Sequence, residues 1–99
     1  MLIALLDIRT AATDRAAVLD QLEGEREGIR DMPGNLDFRV YAAREDEEAV
    51  TVIHEWADEP SFAAYLSSEA FARSGEALRP LMTAPPVSRR FHADLLETV

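Results

Sequence analysis

The stretch AVTVIHEWADEPSFAAYLSSEAF, residues 49–71, decides the fold. Its first eight residues alternate. Val50, Val52, His54 and Trp56 fall on one side of an extended chain, and Thr51, Ile53 and Glu55 on the other. The acidic turn ADEP follows, and Pro60 behind Asp58 suits a first helical turn. Phe62 and Leu66 then recur at helical spacing, with Tyr65 three residues after Phe62. Ser67-Ser68 predicts a break, and a shorter helix near 69–79 carries Phe71 and Leu78. A strand that runs into a helix within a few residues lays that helix on the sheet. The reading therefore places His54 and Trp56 at a joint with Phe62 and Tyr65.

The remaining segments complete the pattern. LIALLDIR, residues 2–9, reads as a strand with Leu2, Ala4, Leu6 and Ile8 on one face and Ile3, Leu5, Asp7 and Arg9 on the other. Residues 14–31 read as a helix capped by Thr13, with Val18, Leu22 and Ile29 on its buried stripe. It must stop before Met32-Pro33-Gly34, because the residue before proline avoids helical geometry. Residues 35–43 alternate, with Leu36, Phe38, Val40 and Ala42 sharing a face and Asp37, Arg39 and Tyr41 opposite. The run Arg44-Glu45-Asp46-Glu47-Glu48 is a solvated turn. Residues 87–97 read as a last strand.

The order β-α-β-β-α-β predicts an α+β, ferredoxin-like domain: a four-stranded antiparallel sheet with helices on one face. Such a unit leaves the other sheet face bare. Here that face includes Leu5, Tyr41, Ile53 and Leu96 among charges, a pattern that calls for a partner. A two-fold homodimer packing sheet on sheet would cover it.

Composition narrows the function. The 99 residues make one domain, 1–99, and 47% hydrophobic content supports a core. A net charge of −9 argues against nucleic acid and against an anionic membrane surface. There is no cysteine, so no disulfide, thiol nucleophile or thiolate metal site is expected. The apolar start is interrupted by Asp7 and Arg9, which does not suit a signal peptide, and a cytoplasmic location is expected. His54 and His92 are the only histidines, 38 positions apart, so no metal site is apparent. No glycine-rich phosphate loop follows a strand, which leaves flavin and nicotinamide without a motif.

Pro33-Gly34, Phe38 and Tyr41, then Glu55-Trp56, Asp58-Glu59, Phe62, Tyr65, Ser68 and Phe71, form an ordered set over most of the chain. Together they resemble the antibiotic biosynthesis monooxygenase domain. That resemblance implies a dimeric α+β barrel. It also implies an oxygenase acting on a quinol, anthrone or similar polyphenol without a bound cofactor. Two alternatives accompany it: a non-catalytic small-molecule-binding or accessory domain, and a haem-binding or haem-degrading enzyme. The haem-degrading branch uses an Asn–Trp–His set with its Asn on the first strand. This chain has Asp7 there, and Tyr65 where family members often carry histidine.

A cofactor-free oxygenase needs a base, a donor for the developing oxyanion and an apolar pocket. His54 and His92 are the candidate bases, since histidine titrates near neutrality. Tyr65 is a candidate donor to a ligand oxygen. Trp56, Phe62 and Phe71 are candidate walls for a flat aromatic ligand. Arg39 and Arg90 are candidates to hold an oxyanion. The competing role for both is to pair with Asp7, Glu55 or Asp94.

Overall fold

The computed structural model describes residues 1–99. Strands β1 (Leu2–Arg9), β2 (Asn35–Ala42), β3 (Ala49–Trp56) and β4 (Val87–His92) form one sheet in the order β2-β3-β1-β4, antiparallel at each pairing. Helix α1 (Arg15–Arg30) connects β1 to β2, and α2 (Glu59–Leu66) with α3 (Glu69–Leu78) lies between β3 and β4. This is the expected ferredoxin-like βαββαβ unit, with its second helix in two pieces. No helix is long and apolar enough to cross a membrane.

The buried face is the one the alternation marks. Leu2, Ala4, Ile8, Val50, Val52 and Trp56 are buried from the central strands, and Val18, Leu22 and Ile29 meet them from α1. The helix break has a local cause. Asp58 caps α2 by accepting from the Ser61 amide at 2.8 Å, and Ser68 caps α3 by accepting from the Phe71 amide at 3.1 Å. Two capping side chains ten residues apart start two helices rather than one.

Three expectations are corrected. Thr13 does not cap α1. Residues 12–14 form a 3-10 turn, and the helix begins at Arg15 without a side-chain cap. Leu36 is not on the core face; it is 55% exposed, because the β2–β3 register slips between Asn35 and Asp37 and turns it outward. The last strand ends at His92 rather than at residue 97. His92 pairs with Leu2, the first residue of β1, and Ala93 donates to the Met1 carbonyl at 2.8 Å. Residues 94–97 therefore have no neighbouring strand.

One glycine is required by geometry. Gly34, between α1 and β2, has φ +81°, and a β-carbon there would collide with the Ser61 side chain. The turn into β2 thus packs directly against the first turn of α2.

Candidate functional site

The site is assembled across the central strand. In β1, Ala4 is paired on one side with His54 of β3 and on the other with Arg90 of β4. Paired residues in an antiparallel sheet share a face, so His54, Ala4 and Arg90 lie in a row beneath the helices. Ala4, the smallest of the three, is fully buried. Beside His54 and Arg90, Phe62 and Tyr65 of α2 and Phe71 of α3 wall a space, with the 83–86 link on one flank. The result is a cavity of about 650 Å³, within the range that holds a drug-sized ligand.

Its walls are mainly apolar: Leu6, Ile8, Leu22, Phe38, Val52 and Leu66 contribute. The His54 ring sits among aromatic rings, 5.6 Å from Phe38 and 5.7 Å from both Phe62 and Tyr65 between centroids. The Arg90 guanidinium lies over the Phe62 ring, 5.0 Å from its centroid, a cation–π arrangement that holds the charge at the cavity. Arg90 Nε also donates to Ser88 Oγ at 3.2 Å.

The protonation of His54 follows from its neighbour two residues on. Trp56 Nε1–H donates to His54 Nδ1 at 2.9 Å inside the core. Nδ1 is therefore an acceptor, and the neutral ring carries its proton on Nε2. Nε2 has no partner within the chain, and His54 lines the cavity. Burial, reinforced by the nearby positive charge of Arg90, pushes the His54 pKa down from 6.5 to about 4. Burial, with a smaller contribution from Glu25, pushes the Tyr65 hydroxyl up to about 12. At neutral pH the residues lining the cavity therefore include a neutral imidazole with its proton on Nε2, an un-ionised phenol and a guanidinium. All three donate.

The residues singled out in the sequence divide. His54, Tyr65, Phe62 and Phe71 line the cavity. Trp56 does not: it is 0% exposed, stacked on Tyr65 at 5.1 Å and 27°, and sits behind His54 and Tyr65. Its place in the site is to orient His54. His92 is at the exposed end of β4, outside the cavity, with Nε2 3.3 Å from Glu59. Arg39 is also outside, exposed on the other sheet face and bonded to Asp37 at 2.9 Å and Glu55 at 3.3 Å. Asp7 is on that face too, accepting from the Thr51 hydroxyl at 2.7 Å. With Asp7 turned away and Trp56 sealed, the Asn–Trp–His arrangement of haem degradation has no counterpart at the cavity. No three His, Asp or Glu side chains cluster as a metal site would require. The cavity also includes Arg79 and Ser74, which sequence reading passed over. Ser74 lies on α3 and Arg79 directly after it, where polar positions look like ordinary solvent-facing ones.

The sequence profile of the antibiotic biosynthesis monooxygenases matches residues 1–77. The chain belongs to the antibiotic biosynthesis monooxygenase family. No curated protein matches it in sequence. Among solved structures, it is similar to a "putative antibiotic biosynthesis monooxygenase" from Deinococcus radiodurans, with TM-score 0.91 and 16% identity over 100% of this chain and 98% of the other. It is also similar to a conserved protein from Methanosarcina mazei, with TM-score 0.87 and 17% identity over 94% and 92% of the two chains. A Nitrosomonas europaea protein described in the same words as the first aligns with TM-score 0.88 and 13% identity, over 94% and 98%. At these identities the likeness establishes the fold.

Proposed function

We propose that the chain is a monooxygenase that oxidises a flat phenolic substrate, of the anthrone or hydroquinone type, inside this cavity. The observation that carries the reading is the donor set. Arg90, His54 and Tyr65 all line an apolar cavity that has no carboxylate in its lining. Such a site favours the anion of an acidic phenol over the phenol itself.

His54 is then a donor and not the base. To accept a proton at Nε2, the neutral ring would have to carry its hydrogen on Nδ1, facing the Trp56 N–H donor. The substrate's proton passes to water, and the three donors hold the resulting enolate oxygen. That electron-rich anion gives one electron to O2. Superoxide and the substrate radical combine at carbon, and protonation gives a hydroperoxide. For an anthrone, loss of water with the remaining C–H then leaves a carbonyl. One oxygen atom enters the product, the other leaves as water, and the substrate supplies all the electrons.

The test is oxygen uptake on anthrones and hydroquinones with a chelator present. Uptake above the spontaneous rate is expected. Arg90→Gln and Tyr65→Phe should each lower kcat/KM about 100–1000-fold, the usual loss for one electrostatic donor. Uptake equal to the blank across the panel favours the second reading, a binding or accessory domain. The absence of a base in the cavity is what supports that alternative.

We further propose that a second copy covers the bare sheet face. Val87 and Phe91 are exposed there beside Ile3 and Leu5 of β1, and Tyr41 is exposed on β2. The charges of this face are already paired within the chain, Asp7 with Arg89 and Arg39 with Asp37 and Glu55. An identical face therefore meets little net charge despite the chain's −9. Sedimentation of the wild type should give a dimer, and Phe91→Asp a monomer. A wild-type monomer at micromolar concentration would dispose of the idea.

A further inference from the structure

All ten basic side chains are arginines. Six of them, Arg9, Arg26, Arg30, Arg39, Arg73 and Arg89, lie within 3.8 Å of a carboxylate. Arg15 donates to the Ala43, Asp46 and Ala49 carbonyls. Arg44 sits in the acidic turn between β2 and β3. The remaining two, Arg79 and Arg90, have no acidic partner, and both line the cavity. Acids make up 19 of the 99 residues, so about four would be expected among the 21 lining positions; none is there. The abundant acidic residues are thus absent from the lining of this apolar cavity.

Arg90 is engaged by Phe62 and Ser88, whereas Arg79 has no such partner. Arg79 follows the last residue of α3, and its guanidinium folds back over Gly75. A β-carbon on Gly75 would lie 2.8 Å from Nη2 and 3.2 Å from Cζ. Gly75 itself lines the cavity, so its missing side chain is the seat of the guanidinium in the cavity wall. A position at a helix C-terminus suits a cation, but that effect is weak for an exposed side chain. The guanidinium donates to no carbonyl there. Its fork of five donors is left for a ligand.

We propose that Arg79, seated by Gly75, anchors a carboxylate carried by the aromatic ligand, so that the cavity selects aromatic acids over neutral polyphenols. The inference rests on the oxygenase reading only for the flat aromatic body of the ligand. Arg90, the His54 N–H and the Tyr65 O–H hold the oxygen that becomes the enolate, and Arg79 fixes the orientation by binding the ionised carboxylate. A planar carboxylate matches the guanidinium fork with two parallel hydrogen bonds.

The experiment is a fluorescence titration under nitrogen with anthracene-9-carboxylate and, as its uncharged counterpart, anthracene-9-methanol. No oxygen chemistry is involved, so the result stands whether or not the protein is an oxygenase. The wild type should bind the carboxylate about 10-fold tighter or more, the size of one charge-assisted contact. Arg79→Gln should remove that preference while binding the alcohol as before. Arg79→Lys should keep part of it, and Gly75→Ala should reduce it by displacing the guanidinium. Arg79 is exposed, so Arg79→Gln should melt with the wild type. Equal binding of the two probes by the wild type, binding of neither, or a preference that survives Arg79→Gln and disappears in Arg90→Gln would each overturn the proposal.

Discussion

Trp56→Ala is expected to lower the melting temperature by about 15–30 °C, the consequence of losing about 3–5 kcal/mol from a domain of this size. Trp56 has no exposed surface. Its ring stacks on Tyr65 and lies 6.1 Å from both His54 and Phe62. Truncation removes those contacts, opens a void and leaves His54 Nδ1 buried without a donor. Trp56→Phe separates these effects. It should keep most of the packing, with a loss of about 1–3 kcal/mol, and remove only the indole N–H. The imidazole nitrogen chemical shifts of His54 then report the tautomer directly. The wild type should carry its proton on Nε2, and Trp56→Phe should release that restriction. A wild-type ring protonated on Nδ1 would remove the basis for His54 as the cavity donor.

The second large effect is acid destabilisation through His54. Its pKa is about 4 in the folded protein and 6.5 when unfolded. Between these values the unfolded chain binds the proton and the folded one does not. Stability is therefore full above pH 6.5, falls as pH drops through the window, and levels off below 4. The loss comes to about 3 kcal/mol. Two carboxylates act elsewhere on the scale. Asp46, held down by the Arg9 hydrogen bond, and Asp58, held down by the Ser61 hydrogen bond, both have pKa values below 3.8. Their contributions are lost as pH falls below that value. Urea unfolding of the wild type and of His54→Leu from pH 7.5 to 4 should show a steep slope in the first and a shallow one in the second. Equal slopes would mean that His54 is not held neutral by its surroundings.

Most of the fold could be read from the chain because each element writes its own period locally. AVTVIHEW has period two, and burying every second residue of it is what β3 does. Val18, Leu22 and Ile29 mark the stripe of α1 and are buried. Two of the misreadings occur where a neighbour decides. Leu36 turns outward through a slip in pairing with β3, and β4 stops where β1 begins. Neither partner is encoded in the segment itself.

The site was legible in part, for a related reason. His54, Phe62, Tyr65 and Phe71 lie within one strand–helix stretch, so local geometry brings them to one cavity. Arg90 is 36 positions from His54, and only pairing across Ala4 brings the two together. Trp56 and His54 share a face by alternation, as the sequence requires. That the tryptophan lies behind the histidine, and sets its tautomer instead of walling the cavity, depends on Tyr65 descending onto it from α2. The sequence by itself determined the order of elements, the sidedness of the strands and the family. The tertiary structure alone decided which polar groups meet. The physical reason is range: periodicity acts over a few residues, whereas donors, charges and apolar walls converge only through strand register and helix packing.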